Sequence, residues 1–137
     1  MFPLVVLALW VVTASLGLRE LIGWRRSTEK PPPVVYRHLT TALTGLALWT
    51  AFVVTDEAAL AWLTFGVLFL NNNWGDAVLT TGWRSRNPAR ATGTWRDHLS
   101  ANWEIIRFGR SPGVTAHAWL AGVVFFSVLG TAIASTF

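Results

Sequence analysis

The sequence predicts an all-α membrane protein: a four-span transmembrane helix bundle with one cytoplasmic amphipathic interfacial helix. Three observations lead to this fold class. Hydrophobic residues make up 53% of the 137 residues, and charged residues make up only 13%, about half the share found in typical soluble domains. The chain contains four long apolar segments. All eleven of its Lys and Arg residues fall in two of the stretches that separate those segments.

The apolar segments give approximate limits for the spans of a single membrane domain covering residues 1–137. These limits are about 1–18, 38–55, 58–81 and 114–137. A helix of 18 residues is about 27 Å long, close to the ~30 Å hydrocarbon core of a bilayer. Pro31–Pro33 prevent a helix from continuing straight through the first basic loop. Asp56 is expected to be the N-cap of the third span.

The basic residues predict the orientation of these spans. Loops rich in Lys and Arg stay on the cytoplasmic side of a membrane, and the two basic loops here are Arg19–Arg37 and Arg84–Arg110. Both termini and the acidic turn at Asp56 are therefore expected outside. Because this rule already accounts for the net charge of +4, nucleic acid is not an expected partner. The absence of cysteine excludes disulfides and thiolate metal sites.

The second basic loop contains a predicted helix over about 94–108. Its apolar residues recur at steps of four, four and three, which places them on one helical face. We expect this face to lie in the headgroup region of the lipid bilayer, with a partner protein as the alternative occupant. Four tryptophans are predicted to anchor the chain at this membrane interface: Trp24, Trp83, Trp95 and Trp103.

Polar residues inside the third span are candidates for function, because such residues are costly in a membrane. Asn71, Asn72 and Asn73 follow one another and spread over about 200° of the helix circumference. They cannot all face one neighbour. We therefore expect them to contact another helix, a cavity, a ligand or a second subunit.

Counting turns along the helices predicts that four polar side chains converge near the cytoplasmic boundary. His38 begins the second span and His117 lies about one turn inside the fourth. Asn72 and Asp76 are four residues apart and share one face of the third span. These four residues, His38, Asn72, Asp76 and His117, are the candidate cofactor-binding site.

Three chemistries fit this set of side chains. The two histidines could ligate a haem b between two helices. They could instead bind a quinone headgroup, with Asp76 as a proton partner, or hold a divalent metal together with that carboxylate. A purely structural role is the leading alternative to these chemistries: His38 at the headgroups, Asp76 neutralising Arg37 or Arg107, and the Asn run joining helices. His98 is expected to be a solvated or interfacial side chain.

Two segments resemble a group of small four-helix membrane proteins of actinobacteria. One is His38–Arg86, with Trp74-Gly75-Asp76 before a basic exit; the other is Ala116-His117-Ala118 at the start of the last span. The resemblance implies a four-span fold in a bacterial inner membrane. It carries over no catalytic or binding residues.

The sequence shows no hydrolase constellation, phosphate loop or nucleotide fingerprint. An enzyme is therefore not the leading expectation. The leading one is an accessory subunit that stabilises or helps assemble a larger inner-membrane complex of other protein subunits. The alternative is an electron-transfer protein that binds haem b or a quinone.

Overall fold

In the part of the chain that the structure describes, all regular secondary structure is α-helical, which confirms the all-α part of the predicted fold class. The structure, a computed structural model, describes residues 1–26 and 30–137. The centre of the first predicted basic loop, residues 27–29, lies outside the described residues. The helices are α1 (Phe2–Arg26), α2 (Pro33–Thr55), α3 (Ala58–Arg86), α4 (Trp95–Ile106) and α5 (Pro112–Ala134).

The four long helices form an antiparallel bundle. Their order around the axis is α1, α2, α3, α5, and α5 packs again on α1, so that α2 and α5 lie across a diagonal. The Trp49 indole N–H donates to the carbonyl of Pro3 at 3.1 Å. That of Trp62 donates to the Thr136 hydroxyl at 3.0 Å. The short helix α4 packs mainly against α3.

Large apolar side chains fill the half of the bundle that contains both termini. Trp49 and Phe52 are fully buried there, with ring centroids 4.9 Å apart. Gly45 lets two helices approach closely, because a Cβ at this position would lie 2.9 Å from the ring of Trp10. The buried apolar cluster consists of Val6, Trp10, Trp49, Phe52, Ala61, Leu68, Val124, Val128 and Ala132. The opposite half, which carries the basic residues, is less tightly filled.

Three helices, α1, α2 and α5, are long and apolar enough to cross a membrane. The chain thus has the helices of a membrane protein. α3 is the longest helix in the described residues, but it falls outside this set. Its apolar run from Ala58 to Leu70 is interrupted by Asn71–Asn73, and these amides lower the mean hydropathy of any window that contains them.

Helix limits differ from the predicted span limits because helices end at breakers rather than at the edge of the apolar run. α1 continues past residue 18 to Arg26, and α2 and α5 both begin at a proline, Pro33 and Pro112. Proline is well suited to the first turn, since it has no N–H to leave unpaired. Asp56 was expected to cap α3, and this is wrong. It ends α2 in a left-handed conformation with φ 57°, and Glu57 precedes α3.

Candidate functional site

A cavity of about 320 Å³ lies between the helices in the basic half of the bundle. Its wall is mostly apolar, and its polar side chains come from every helix of the described residues. All four residues of the predicted cofactor site, His38, Asn72, Asp76 and His117, line this one cavity, together with Glu20, Trp24 and Asn102. Depth counting from the sequence therefore brings the right side chains to one place.

The two histidines face each other across the diagonal of the bundle. The ring centroids of His38 on α2 and His117 on α5 are 6.0 Å apart, and the ring planes are nearly perpendicular, at 85°. Nδ1 of His38 lies 3.2 Å from the carbonyl oxygen of Asn71 on α3. Nδ1 of His117 lies 2.8 Å from the carbonyl oxygen of Thr13 on α1. Each ring is thus held by a backbone group of a neighbouring helix.

These two hydrogen bonds determine the tautomer of each imidazole. A carbonyl oxygen can only accept a hydrogen bond, so Nδ1 must carry the proton in both rings. In the neutral imidazole Nε2 then keeps its lone pair. This is the arrangement in which histidine binds metals in proteins: one ring nitrogen donates to a carbonyl, and the other is free to ligate.

Small residues make room for the two rings. A Cβ at Gly17 would lie 2.8 Å from Cε1 of His117, and a Cβ at Gly75 would lie 3.2 Å from Cε1 of His38. Gly122, which also lines the cavity, has no atom within 4 Å of the place where a Cβ would stand. The absence of side chains at these three positions both seats the imidazoles and keeps space beside them.

The three asparagines divide between three surroundings, as their spread around the helix requires. Asn71 is buried, and its side-chain oxygen accepts a hydrogen bond from the Thr41 hydroxyl at 2.7 Å. Asn72 lines the cavity. Asn73 is exposed on the outside of the bundle, where its side-chain amide donates to the carbonyl of Phe69 at 2.8 Å. Of the three, only Asn73 presents its side chain outward.

Asp76 is partnered by His98 and Asn102 of α4, two residues that sequence reasoning did not assign to it. Its carboxylate accepts hydrogen bonds from Nδ1 of His98 and from the side-chain amide of Asn102, whereas Arg37 and Arg107 were the expected partners. His98 also lies 3.1 Å from the Thr80 hydroxyl. The His98 side chain is 41% exposed, in keeping with the expected solvated or interfacial position, but its bonds to α3 were not predicted. An (i, i+4) pair of polar residues on α4, His98 and Asn102, was the signal that could have revealed this contact.

This arrangement disfavours the metal site with two histidines and a carboxylate. Within residues 1–26 and 30–137, no group of three or more His, Cys, Asp or Glu side chains could hold a metal ion. The reason is the orientation of Asp76, whose oxygens are directed to α4.

The tryptophans expected at the interface occupy three kinds of position. Trp95 and Trp103 are exposed on α4, at 66% and 50%. Trp24 lines the cavity. Trp83 is buried, with 4% of its surface exposed, and so packs within the fold rather than facing outward. Sequence position gives the depth of such a residue but not the direction of its side chain.

A buried carboxylate fixes the start of α4. Asp97, in the first turn of this helix, is only 1% exposed. It accepts hydrogen bonds from Arg84 Nε at 2.7 Å and from the backbone N–H groups of Thr92 and Gly93 at 3.0 and 2.9 Å. These bonds, led by the one from Thr92, hold the pKa of Asp97 far below its ordinary value. The side chain therefore stays ionised and locks α4 against the end of α3.

Comparison with protein-family models, with curated proteins and with solved structures finds no match to this chain. Function must therefore be argued from the site.

The depressed pKa of Asp97 predicts how the attachment of α4 depends on pH. A carboxylate of this kind stabilises the fold fully above its unfolded-state pKa of about 4, and this contribution is lost as the pH falls toward the folded-state pKa. Hydrogen exchange of the α4 amides should thus be slow and nearly constant from about pH 5 to 8, after correction for intrinsic rates. Asp97→Asn should speed it throughout that range.

The matched control for this variant is Glu104→Gln, which removes a more exposed ion pair with Arg86 on the same two helices. It should change exchange little, because exposed pairs contribute little. Equal exchange in Asp97→Asn and the unmodified chain would contradict the proposed lock.

Proposed function

We propose that this chain is a membrane electron-transfer protein that binds haem b through His38 and His117. The observation that carries the proposal is the pair of facing imidazoles, 6.0 Å apart, each with Nδ1 committed to a backbone carbonyl. Two imidazoles that share one metal ion at about 2 Å from each ligating nitrogen have ring centroids roughly 6 Å apart. The separation of the two rings therefore fits a shared iron.

The donor set favours haem over a protein-only metal centre. A porphyrin supplies the equatorial ligands of its iron, so the protein has to supply only axial ones. Two histidines are then sufficient, although no larger cluster of metal-binding side chains occurs in the described residues. When bound, haem b supplies one-electron transfer between the ferric and ferrous states.

The surroundings of the imidazoles suit such a group. The mostly apolar wall lowers the local dielectric constant, which tunes the potential of a metal site. Glu20 lies against Gly113 at the start of α5, where the helix dipole favours a negative charge. Arg110 is close enough to Glu20 to interact with it electrostatically. Arg110 is thus a basic group near the cavity, whose own charged lining residues are Glu20 and Asp76.

A quinone fits this site less well. A quinone carbonyl needs a hydrogen-bond donor, but in the neutral tautomer Nε2 of both histidines is an acceptor. The amides of Asn72 and Asn102 also line the cavity and could donate. Asn102 already donates to Asp76 and to the carbonyl of His98. The imidazole pair itself therefore has no evident role in binding a quinone oxygen.

The haem proposal predicts that both histidines are indispensable. Purified protein reconstituted with haem should show the reduced-minus-oxidised bands of a bis-histidine b-type centre. His38→Gln and His117→Gln should each abolish these bands while leaving the helical content intact, because the other imidazole cannot complete the coordination alone.

The control is His98→Gln, which alters the third histidine of the chain outside the imidazole pair and should retain the bands. Unchanged six-coordinate bis-histidine bands in either single variant would refute bis-histidine ligation. So would a failure of the unmodified protein to take up haem at all.

For the topology, we propose four spans with the basic end in the cytoplasm of a bacterium and α4 at the inner membrane surface. Phe2, Asp56 and Ser135 line one cavity at the opposite end, so both termini share a side with the turn after α2. The location of the basic residues supports the orientation. α3 would be a span whose polar inner third is sheltered by α2, α4 and α5.

Since the chain has no cysteine, single cysteines can be labelled without background. In intact cells, a membrane-impermeant reagent should label cysteines placed at positions 56 and 137 but not at 90. Labelling at position 90 before the membrane is permeabilised would contradict this topology.

An accessory role within a larger complex is a second candidate, and Asn73 is the observation that favours it. This exposed amide lies beside Phe69 and Leu70, which are 58% and 55% exposed on the same apolar stretch. Asn73 satisfies only part of its hydrogen-bonding capacity within α3. A helix of another subunit could satisfy the rest. The two functions are compatible, because the haem-binding cavity does not use this surface.

If Asn73 contacts a partner helix, Asn73→Leu should reduce the amount of partner that co-purifies in mild detergent. The expected loss is that of one interhelical hydrogen bond, about 0.6–2 kcal/mol. Asn87→Leu is a matched control: Asn87 makes the same bond to its own helix, donating to the carbonyl of Trp83, but lies at the end of α3. Unchanged co-purification in Asn73→Leu would exclude this contact.

A further inference from the structure

The outward side of α4 is an apolar surface that the described part of the chain leaves uncovered. We call it the outer face of α4 and define it by Trp95, Leu99, Trp103, Ile106 and Phe108, which are all exposed. The opposite side of the helix is fixed to α3 by the bonds of Asp97 and His98. The outer face is therefore exposed although α4 itself is firmly packed against α3.

Two arginines border this face and lack an acidic partner. The guanidinium carbon of Arg96 lies 5.9 Å from the ring centroid of Trp95, and that of Arg107 lies 4.7 Å from that of Trp103. The nearby carboxylates of Asp76, Asp97 and Glu104 are paired with His98, Arg84 and Arg86. Among the described residues, no ion pair includes Arg96 or Arg107. Their charge is available to an external anion.

The outer face is continuous with the surface of a membrane-spanning candidate. Phe108 stacks on Trp119 of α5, with ring centroids 6.3 Å apart and planes 15° from parallel. Trp119 is itself 49% exposed and lies in the second turn of a helix apolar enough to cross a bilayer. The outer face therefore continues into the exposed apolar surface of α5.

We propose that the outer face of α4 binds anionic phospholipids of the adjacent leaflet. The aromatic and aliphatic side chains enter the boundary between headgroups and acyl chains, where tryptophan is favoured. Arg96 and Arg107 donate paired hydrogen bonds to lipid phosphates, for which the guanidinium fork is well matched. This binding is independent of the haem proposal, because no residue of the outer face lines the cavity.

The test is hydrogen exchange of α4 in the full-length protein, held in nanodiscs of phosphatidylcholine alone or mixed with phosphatidylglycerol. Each basic residue near an anionic surface strengthens membrane binding by about five-fold. We therefore expect exchange in α4 to slow by roughly ten- to thirty-fold in the anionic discs. The Arg96→Gln/Arg107→Gln double variant should lose this difference between the two lipids.

The matched control is Arg25→Gln/Arg26→Gln, which removes two exposed charges from the same end of the bundle, at the end of α1. It should keep the full lipid effect. Inorganic phosphate added to phosphatidylcholine discs should not slow exchange. The proposal is overturned if the unmodified protein exchanges equally in both lipids, if the control loses the effect as fully as the test variant, or if phosphate alone reproduces it.

Discussion

The inner third of α3 is polar, and its need for hydrogen-bond partners shapes the basic half of the molecule. A polar group that leaves water is costly unless it is paired. α2 therefore supplies Thr41 to Asn71, and α4 supplies His98 and Asn102 to Asp76. The helix α4 is folded back along α3 because this side of α3 could not face an apolar surface. The apolar half of the bundle has no such requirement and is simply filled.

The half of the bundle that holds the termini is filled for packing, whereas the basic half keeps space around its polar side chains. Side chains such as Trp49 and Phe52 close the half that holds the termini, whereas glycines at positions 17, 75 and 122 keep the basic half open around two histidines. Leaving space in a bundle costs packing energy, so an open region lined by oriented imidazoles is better explained by a ligand than by stability. This reasoning favours the haem-binding function over a purely structural role for the polar cluster.

Sequence reasoning recovered what depends on position along a helix and missed what depends on rotation about it. Depth follows from the rise per residue, and this brought His38, Asn72, Asp76 and His117 to one level. The direction of a side chain depends on which helices are neighbours, information that arises from contacts distant in sequence. Trp83 was therefore placed at the membrane interface but is buried, and Asp76 was given Arg37 or Arg107 as its partner rather than His98 and Asn102.

The hydrogen bonds that hold the two imidazoles involve all four long helices, so the site depends on the packing of the whole bundle. Each ring is on one helix and its carbonyl partner on another, so α2 with α3 forms one half of the site and α5 with α1 forms the other. A ligand held by both rings joins these halves, and its binding free energy adds to that of folding. The apo and loaded forms would then differ chiefly in how firmly the two helix pairs are held together. In a cell, protein that has lost its ligand would be degraded faster, because proteases cleave the loosened bundle more readily.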